Sequence, residues 1–350
     1  MPTWGAILKE ISQSKNPQGT GPDFDGVRRK YLAELHKRTG RATILYATAF
    51  LESRNISPLD LQVNLADLQG FMEAVSNIEE RNLDLILHSP GGSAEAAESI
   101  VAYLRSRFDH IRVFVPVAAM SAATMLALSA NEIVMGQHSQ LGPIDPQFII
   151  STPEGPRSGP AKAILNQFEL AKQQCKDPSN LVAWMPILRS YAPSLLTQCE
   201  DSRTLAVEMV STWLKSYMLA GDAQVEEKAR SIADWFANYE NFRSHGRRVG
   251  RDEAAAIGVR VTQLENDQGL QDFVLSIHHA TMHTFSGTPA SKIIENHHGR
   301  AWVRLTGQVA TQLVLQHPPG PAPIPSPTGG PALSRAERRR LERGARKGRR

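Results

Sequence analysis

Residues 83–147 constrain the fold of this chain more than any other stretch. They hold three short apolar runs, each closed by small or turn-forming residues. Leu83–Leu87 runs into Ser89-Pro90-Gly91-Gly92, Ile111–Val117 into Met120-Ser121-Ala122, and Ile133–Met135 into Leu141-Gly142-Pro143-Ile144-Asp145. Ser93 is suited to cap a helix, and Ala97, Ile100, Val101, Leu104 and Phe108 follow at the spacing of one helical face. Strand, helix and strand in that order imply a right-handed parallel crossover, and its repetition to Met135 predicts an α/β core. In open sheets of this kind, chemistry gathers where strands end.

The same stretch contains eighteen uncharged residues, Val113–Ala130, enough to raise the question of a membrane helix. Pro116 divides them, with β-branched residues before it and an Ala- and Met-rich segment after it. A buried strand followed by a buried helix is the expectation. The N-terminus lacks the basic start and apolar centre of a signal peptide. Cys175 and Cys199 show no metal spacing and predict no disulfide framework, in keeping with a reducing cytoplasm. The formal charge of +4 is dominated by residues 335–350, whose nine Arg/Lys and two Glu carry +7 and leave −3 on the rest. A chain-wide nucleic-acid surface is therefore not expected.

Around the central stretch, residues 1–40 read as a lead-in with an amphipathic helix over Asp25–Arg38, stopped by Gly40. Arg41–Leu51 is strand-like, and the apolar spacing over Leu65–Arg81 predicts a helix. Ser151–Pro160 reads as a mobile loop. Residues 161–243 are mostly helical in pattern, broken at Pro178, Pro186 and Pro193. A short helix, a turn at Gly258, a short strand and a helix over Leu270–Phe285 follow. Residues 306–350 are expected to be a disordered Pro/Gly-rich linker and an Arg-rich tail.

Two strand ends carry candidate chemistry. Gly91 and Gly92 let the backbone turn sharply and leave N–H groups open to an oxyanion, although an ordinary strand-to-helix turn has the same residues. Neither a dinucleotide fingerprint nor a phosphate loop is present. Ser121 opens an Ala-rich segment, either as an N-cap or as a nucleophile whose neighbour Ala122 lends a second oxyanion N–H.

The ordered motifs HSPGG, AAMSAATMLALSANEIVMG and HSQLGPIDPQ closely resemble the Clp/crotonase-fold serine peptidases, in particular the serine dehydrogenase proteinase family, related to signal peptide peptidase A. The resemblance spans about residues 40–300. It implies an α/β, Clp/crotonase-like fold of repeated β-β-α units over residues 41–305, with residues 161–243 as a helical insertion. It implies Ser121 as the nucleophile and Gly91, Gly92 and Ala122 at the oxyanion hole. Clp-type peptidases keep a His near the position of Ile144-Asp145, and none stands there. Other relatives use a Lys at a helix start, which points to Lys162, 41 residues after Ser121. That amine must be neutral to act as a base. His138 and His245 are the fallback bases, with Asp145 as an orienting group or a turn residue.

His278, His279, His283, His297 and His298 invite a metal reading, but no carboxylate follows at a known spacing, so neither metal nor cofactor is expected. The resulting expectation is a serine endopeptidase working through an acyl-enzyme on Ser121 with Lys162 as base. A catalytically inactive oligomeric scaffold of the same fold is the alternative, and an acyl-CoA enzyme of the crotonase type is a weaker third. The expected partners are a peptide or protein substrate, further copies in a homo-oligomer, and an anionic partner or membrane surface for the tail. The expected location is the cytoplasm, free or at a membrane.

Overall fold

A computed structural model describes residues 2–152 and 155–306, with Ala336 beyond them. Almost all of the Pro/Gly-rich linker and the Arg-rich tail thus lies outside the described residues. Helix α1 (Trp4–Gln13) starts at Thr3, whose hydroxyl accepts the N–H of Ala6. Helix α2 (Phe24–Thr39) starts at Asp23 and ends at Gly40, which takes the left-handed conformation with φ 62°. The strand β1 (Ala42–Thr48) that follows is buried along its whole length.

After α3 (Pro58–Leu61), the helix expected over residues 65–81 is shorter, α4 (Asp67–Val75). Asn77 has φ 63°, a left-handed value that Asn tolerates and a helix does not. Ile78 is buried from the loop, so its apolar spacing mimicked a helix that had already ended. Next come β2 (Asn82–His88), α5 (Ala94–Arg107) capped by Ser93, β3 (His110–Val115), β4 (Ala118–Ala119), α6 (Ala122–Leu128) and β5 (Glu132–Met135). The eighteen uncharged residues are thus divided among strands and a short buried helix. No helix among the described residues is long and apolar enough to cross a membrane.

Strand β6 (Gln140–Leu141) precedes a correction. The loop expected over residues 151–160 is part of a hairpin, β7 (Gln147–Thr152) with β8 (Gly155–Pro160). A two-stranded ribbon has two open edges, so Pro156 and Pro160 sit where a ladder N–H is dispensable. Helices α7 (Ala161–Gln174), α8 (Leu181–Arg189), α9 (Leu195–Trp213), α10 (Val225–Ala237) and α11 (Tyr239–Phe242) then fill the helical segment. The chain closes with β9 (Val249–Gly250), α12 (Arg251–Ala256), β10 (Val261–Gln263), α13 (Gln268–Gly287), β11 (Ala290–Asn296) and β12 (Ala301–Leu305).

The main sheet has the order β10-β5-β3-β2-β1-β11-β12. Its β1, β2, β3, β5 and β10 are parallel, with Leu85 opposite Val113 and Val113 opposite Ile133, while β11 pairs antiparallel with both β1 and β12. Side chains alternate across it. Ile44, Tyr46, Leu85 and Val113 face a layer that includes α4, α5, α6, α9 and α10. Leu45, Ile86, Phe114 and Val134 face α2 and α13. The fold is α/β as expected, and α9 and α10 belong to its main core. A smaller sheet, β4-β6-β9, gathers the backbone that follows β3 and β5. It is this small sheet that brings the strand ends together.

Candidate active site

Ser121 is the second of the two residues between β4 and α6, with φ 52° and ψ −122°. A non-glycine residue there costs about 1–3 kcal/mol and persists only where its surroundings enforce it. The enforcement is visible. Met120 N–H donates to Ser89 O at 3.0 Å and Ser89 N–H to Ala118 O at 3.1 Å, tying β4 to the end of β2. Thr124 Oγ1 donates to Ala119 O at 2.7 Å and accepts the N–H of Gly142 at 2.9 Å, tying α6 to the segment after β6. The Ser121 hydroxyl makes no capping hydrogen bond to the helix it precedes. The bland reading of Ser121 as an N-cap is therefore not what the local structure contains.

Gly91 has φ +89°, and a Cβ there would lie 2.3 Å from Met120 O and 2.6 Å from Ser121 Cβ. Only glycine permits that approach. Gly91 N–H donates to Ser89 Oγ at 3.2 Å. Among the described residues the N–H groups of Gly92 and Ala122 have no protein acceptor, and both residues line one cavity with Ser121. The cavity measures about 570 Å³. Its apolar wall includes Met125, Ile144, Phe148 and Leu205, drawn from α6, the segment after β6, β7 and α9.

The same cavity is lined by Asp145 and His245. Asp145 is 3% exposed, and its Oδ1 lies 2.8 Å from His245 Nδ1. Its Oδ2 accepts from Gln147 Nε2 at 2.8 Å. A carboxylate accepts, so His245 Nδ1 is the donor of this bond, and in the neutral tautomer that leaves the lone pair on Nε2. His245 Nε2 has no protein partner among the described residues, and the imidazole is 26% exposed. Sequence reasoning placed His245 behind Lys162 and gave Gln147 no role. The only local signal for His245 was its position in Ser244-His245-Gly246, where the helical segment returns to the small sheet.

Lys162 stands half-buried in the first turn of α7 and is not among the residues lining this cavity. Its amine has no acidic partner among the described residues. His138, the other fallback base, is also absent from the cavity wall and lies on the side of His278 and His279. Next to the Gly91-Gly92 turn, His88 is fully buried, and burial pushes its pKa down to about 3, offset in part by the Ala118 carbonyl. His88 therefore stays neutral, its ring edge-on to His278 at 4.9 Å. Burial likewise holds His278 well below the ordinary imidazole range.

Metal chemistry finds little support in these histidines. Among the described residues the one three-membered group is His36, Glu80 and His297, whose ligand atoms lie within 4.8 Å of one another. The His36 and His297 rings are stacked, 3.8 Å apart and 15° from parallel. Stacked rings do not converge on one point in their own planes, the arrangement a shared ion favours. His283 instead packs on Trp4.

Comparison with known proteins agrees with the motif order. Residues 58–185 match the family model described as the ClpP-like SDH-type serine proteinase. That segment includes Gly91, Gly92, Ser121, Asp145 and Lys162, and stops short of His245. Two uncharacterized proteins of Methanocaldococcus jannaschii are similar. One is 27% identical over 237 residues, 67% of this chain and 73% of that protein. The second is 35% identical over 177 residues, 50% of this chain and 51% of that protein, so the match takes in about half its length. Among solved structures, a serine-to-alanine mutant of the 1510-N membrane-bound stomatin-specific protease aligns at 16% identity and TM-score 0.36, covering 59% of this chain and 77% of that one. A lysine-to-alanine mutant of the same protease, in complex with a substrate peptide, aligns at 17% identity and TM-score 0.35, covering 59% and 73%.

Proposed function

We propose that this chain is a serine peptidase in which Ser121 is the nucleophile, His245 the general base, and Asp145 the group that orients it. The observation that carries the reading is the His245–Asp145 pair at 2.8 Å, opening into the same cavity as Ser121. On this reading Ser121 Oγ attacks the peptide carbonyl while His245 Nε2 takes its proton. The oxyanion is held by the N–H groups of Gly92 and Ala122, with Gly91 allowing the close approach. Collapse breaks the C–N bond, and His245 passes the proton to the leaving amine. Water, deprotonated by the same imidazole, then releases the acyl group from Ser121. Every group needed belongs to the chain, and no cofactor enters.

A second reading keeps Ser121 and makes Lys162 the base. It is supported by the half-buried amine, which has no acidic partner among the described residues, and requires Lys162 to reach the cavity by a shift of α7 or from another copy. A third is the inactive scaffold. The peptide or protein substrate, the homo-oligomer and the anionic partner of the Arg-rich tail belong to the same proposal. One experiment separates the readings. A fluorophosphonate probe should label the full chain at Ser121, and Ser121→Ala should abolish labelling. His245→Ala should slow it by roughly 10⁴-fold, and Lys162→Met by less than about threefold. The reverse ranking would establish the Ser–Lys dyad, and no labelling of the wild type would leave the scaffold.

A further inference from the structure

Lys292, on β11, is fully buried, and so is Asp67, the first residue of α4. The Lys292 amine lies 2.7 Å and 2.9 Å from the two Asp67 oxygens and donates to Gln62 O at 2.8 Å. Asp67 Oδ2 also accepts from Tyr46 Oη at 2.6 Å and from Asn64 N–H at 3.0 Å. A buried ion pair is weak evidence for stability, because its desolvation offsets the attraction and an apolar pair of equal volume often does as well. Its use lies in what it holds in place.

It holds residues 62–64, and these hold the glycine turn. Val63 N–H donates to Gly91 O at 2.7 Å and Ser93 N–H donates to Val63 O at 2.9 Å, a parallel bridge of Val63 with Gly92. The two bonds flank Gly92 and set the direction of its free N–H. A Cβ on Gly92 would lie 2.3 Å from Val63 O, so the contact leaves no slack. From the other side, Ser89 accepts the N–H of Gly91 and sits against the Tyr46 hydroxyl. Both flanks of the turn therefore lead back to one carboxylate.

We propose that Lys292 and Asp67 are positioning residues for the oxyanion turn, aiming Gly92 N–H at a carbonyl bound over Ser121 through Val63 on one flank and Tyr46 on the other. The inference rests on the serine-peptidase reading. Its test uses the full chain and the fluorophosphonate probe, following both the rate of labelling and its end-point. The double variant Lys292→Met with Asp67→Asn removes both charges and keeps an acceptor for Tyr46 and Asn64. It should reach the wild-type end-point at a rate on the order of 10- to 100-fold lower, below or at the foot of the ~10²–10³ loss for one whole donor. Tyr46→Phe removes one hydroxyl, keeps the ring and covers the case of a double variant that does not fold. It should slow labelling by about three- to tenfold. Wild-type rates in the variants would overturn the proposal, as would a reduced end-point at an unchanged rate, the mark of a purely structural pair. Failure of the wild type itself to label would be seen in the control and would overturn the peptidase reading, and this inference with it.

Discussion

Asp145 and Asp67 are two buried carboxylates with different partners, the first lining the cavity beside Ser121 and the second lying outside its wall. Asp145 faces an imidazole that is 26% exposed and open to the cavity. Asp67 faces an ammonium with no exposure, and both its oxygens are saturated by Lys292, Tyr46 and Asn64. The partner makes the difference. An imidazole changes charge near neutral pH, so a carboxylate beside it can stabilise a cation that exists only while a proton is in transit. Lys292 is enclosed in the core, where burial lowers its pKa and Asp67 offsets that in part, so this carboxylate has no solvent-facing partner and serves to hold backbone still.

Breaking the two carboxylates separately tests this contrast. The largest effect is expected of Asp145→Asn, which should cost roughly 10⁴-fold in kcat, because an amide no longer holds Nδ1 protonated. Thermal unfolding should leave its midpoint within a few degrees of wild type. A large stability loss with intact turnover would erase the distinction. Asp67→Asn alone should act mainly on stability, destabilising by about 3–5 kcal/mol in urea titration because it strands Lys292 in the core, with a loss of rate well below that of Asp145→Asn.

Gly91→Ala probes the turn between them. The added Cβ would meet the Met120 carbonyl and Ser121 Cβ, so labelling of Ser121 should slow by roughly 10²–10³-fold. A full-rate Gly91→Ala variant would show that the two strand ends do not work as one site. The smallest effect concerns His88. Its pKa is about 3 in the fold against about 6.5 unfolded, so above pH 6.5 both states are neutral and its contribution to stability is complete. Below 6.5 the unfolded chain gains a proton that the folded one refuses, and stability is lost until the pH nears 3. His88→Phe should flatten that acid limb by about 1.4 kcal/mol per pH unit in urea titrations. An unchanged limb would place the acid sensitivity elsewhere, with His278 the next candidate.

Much of the scaffold was legible before any coordinates. The strands at 83–87, 111–117 (which ends at Val115) and 133–135, the helix capped by Ser93 and the stop at Gly40 all depend on periodicity or capping within a few residues. So does the position of Ser121 between a strand and a helix, since small residues on both sides mark the junction. The helix over 65–81 ran too long because Ile78 kept the spacing after the backbone had turned. The hairpin after Gln147 was hidden by prolines that an open ribbon tolerates.

What lay beyond the sequence was apposition. His245 reaches Asp145 across 100 residues, through helices whose packing returns the chain to the small sheet beside β6. Lys162 stood at a suggestive spacing from Ser121, yet spacing along a chain does not say which wall of a cavity a side chain joins. Lys292 and Asp67, 225 residues apart, carried no motif at all. Local conformation is set by each residue and its near neighbours, so it can be read from a single string of letters. Distant side chains meet only through the register of strands and the packing of helices, and those depend on every layer of the core at once.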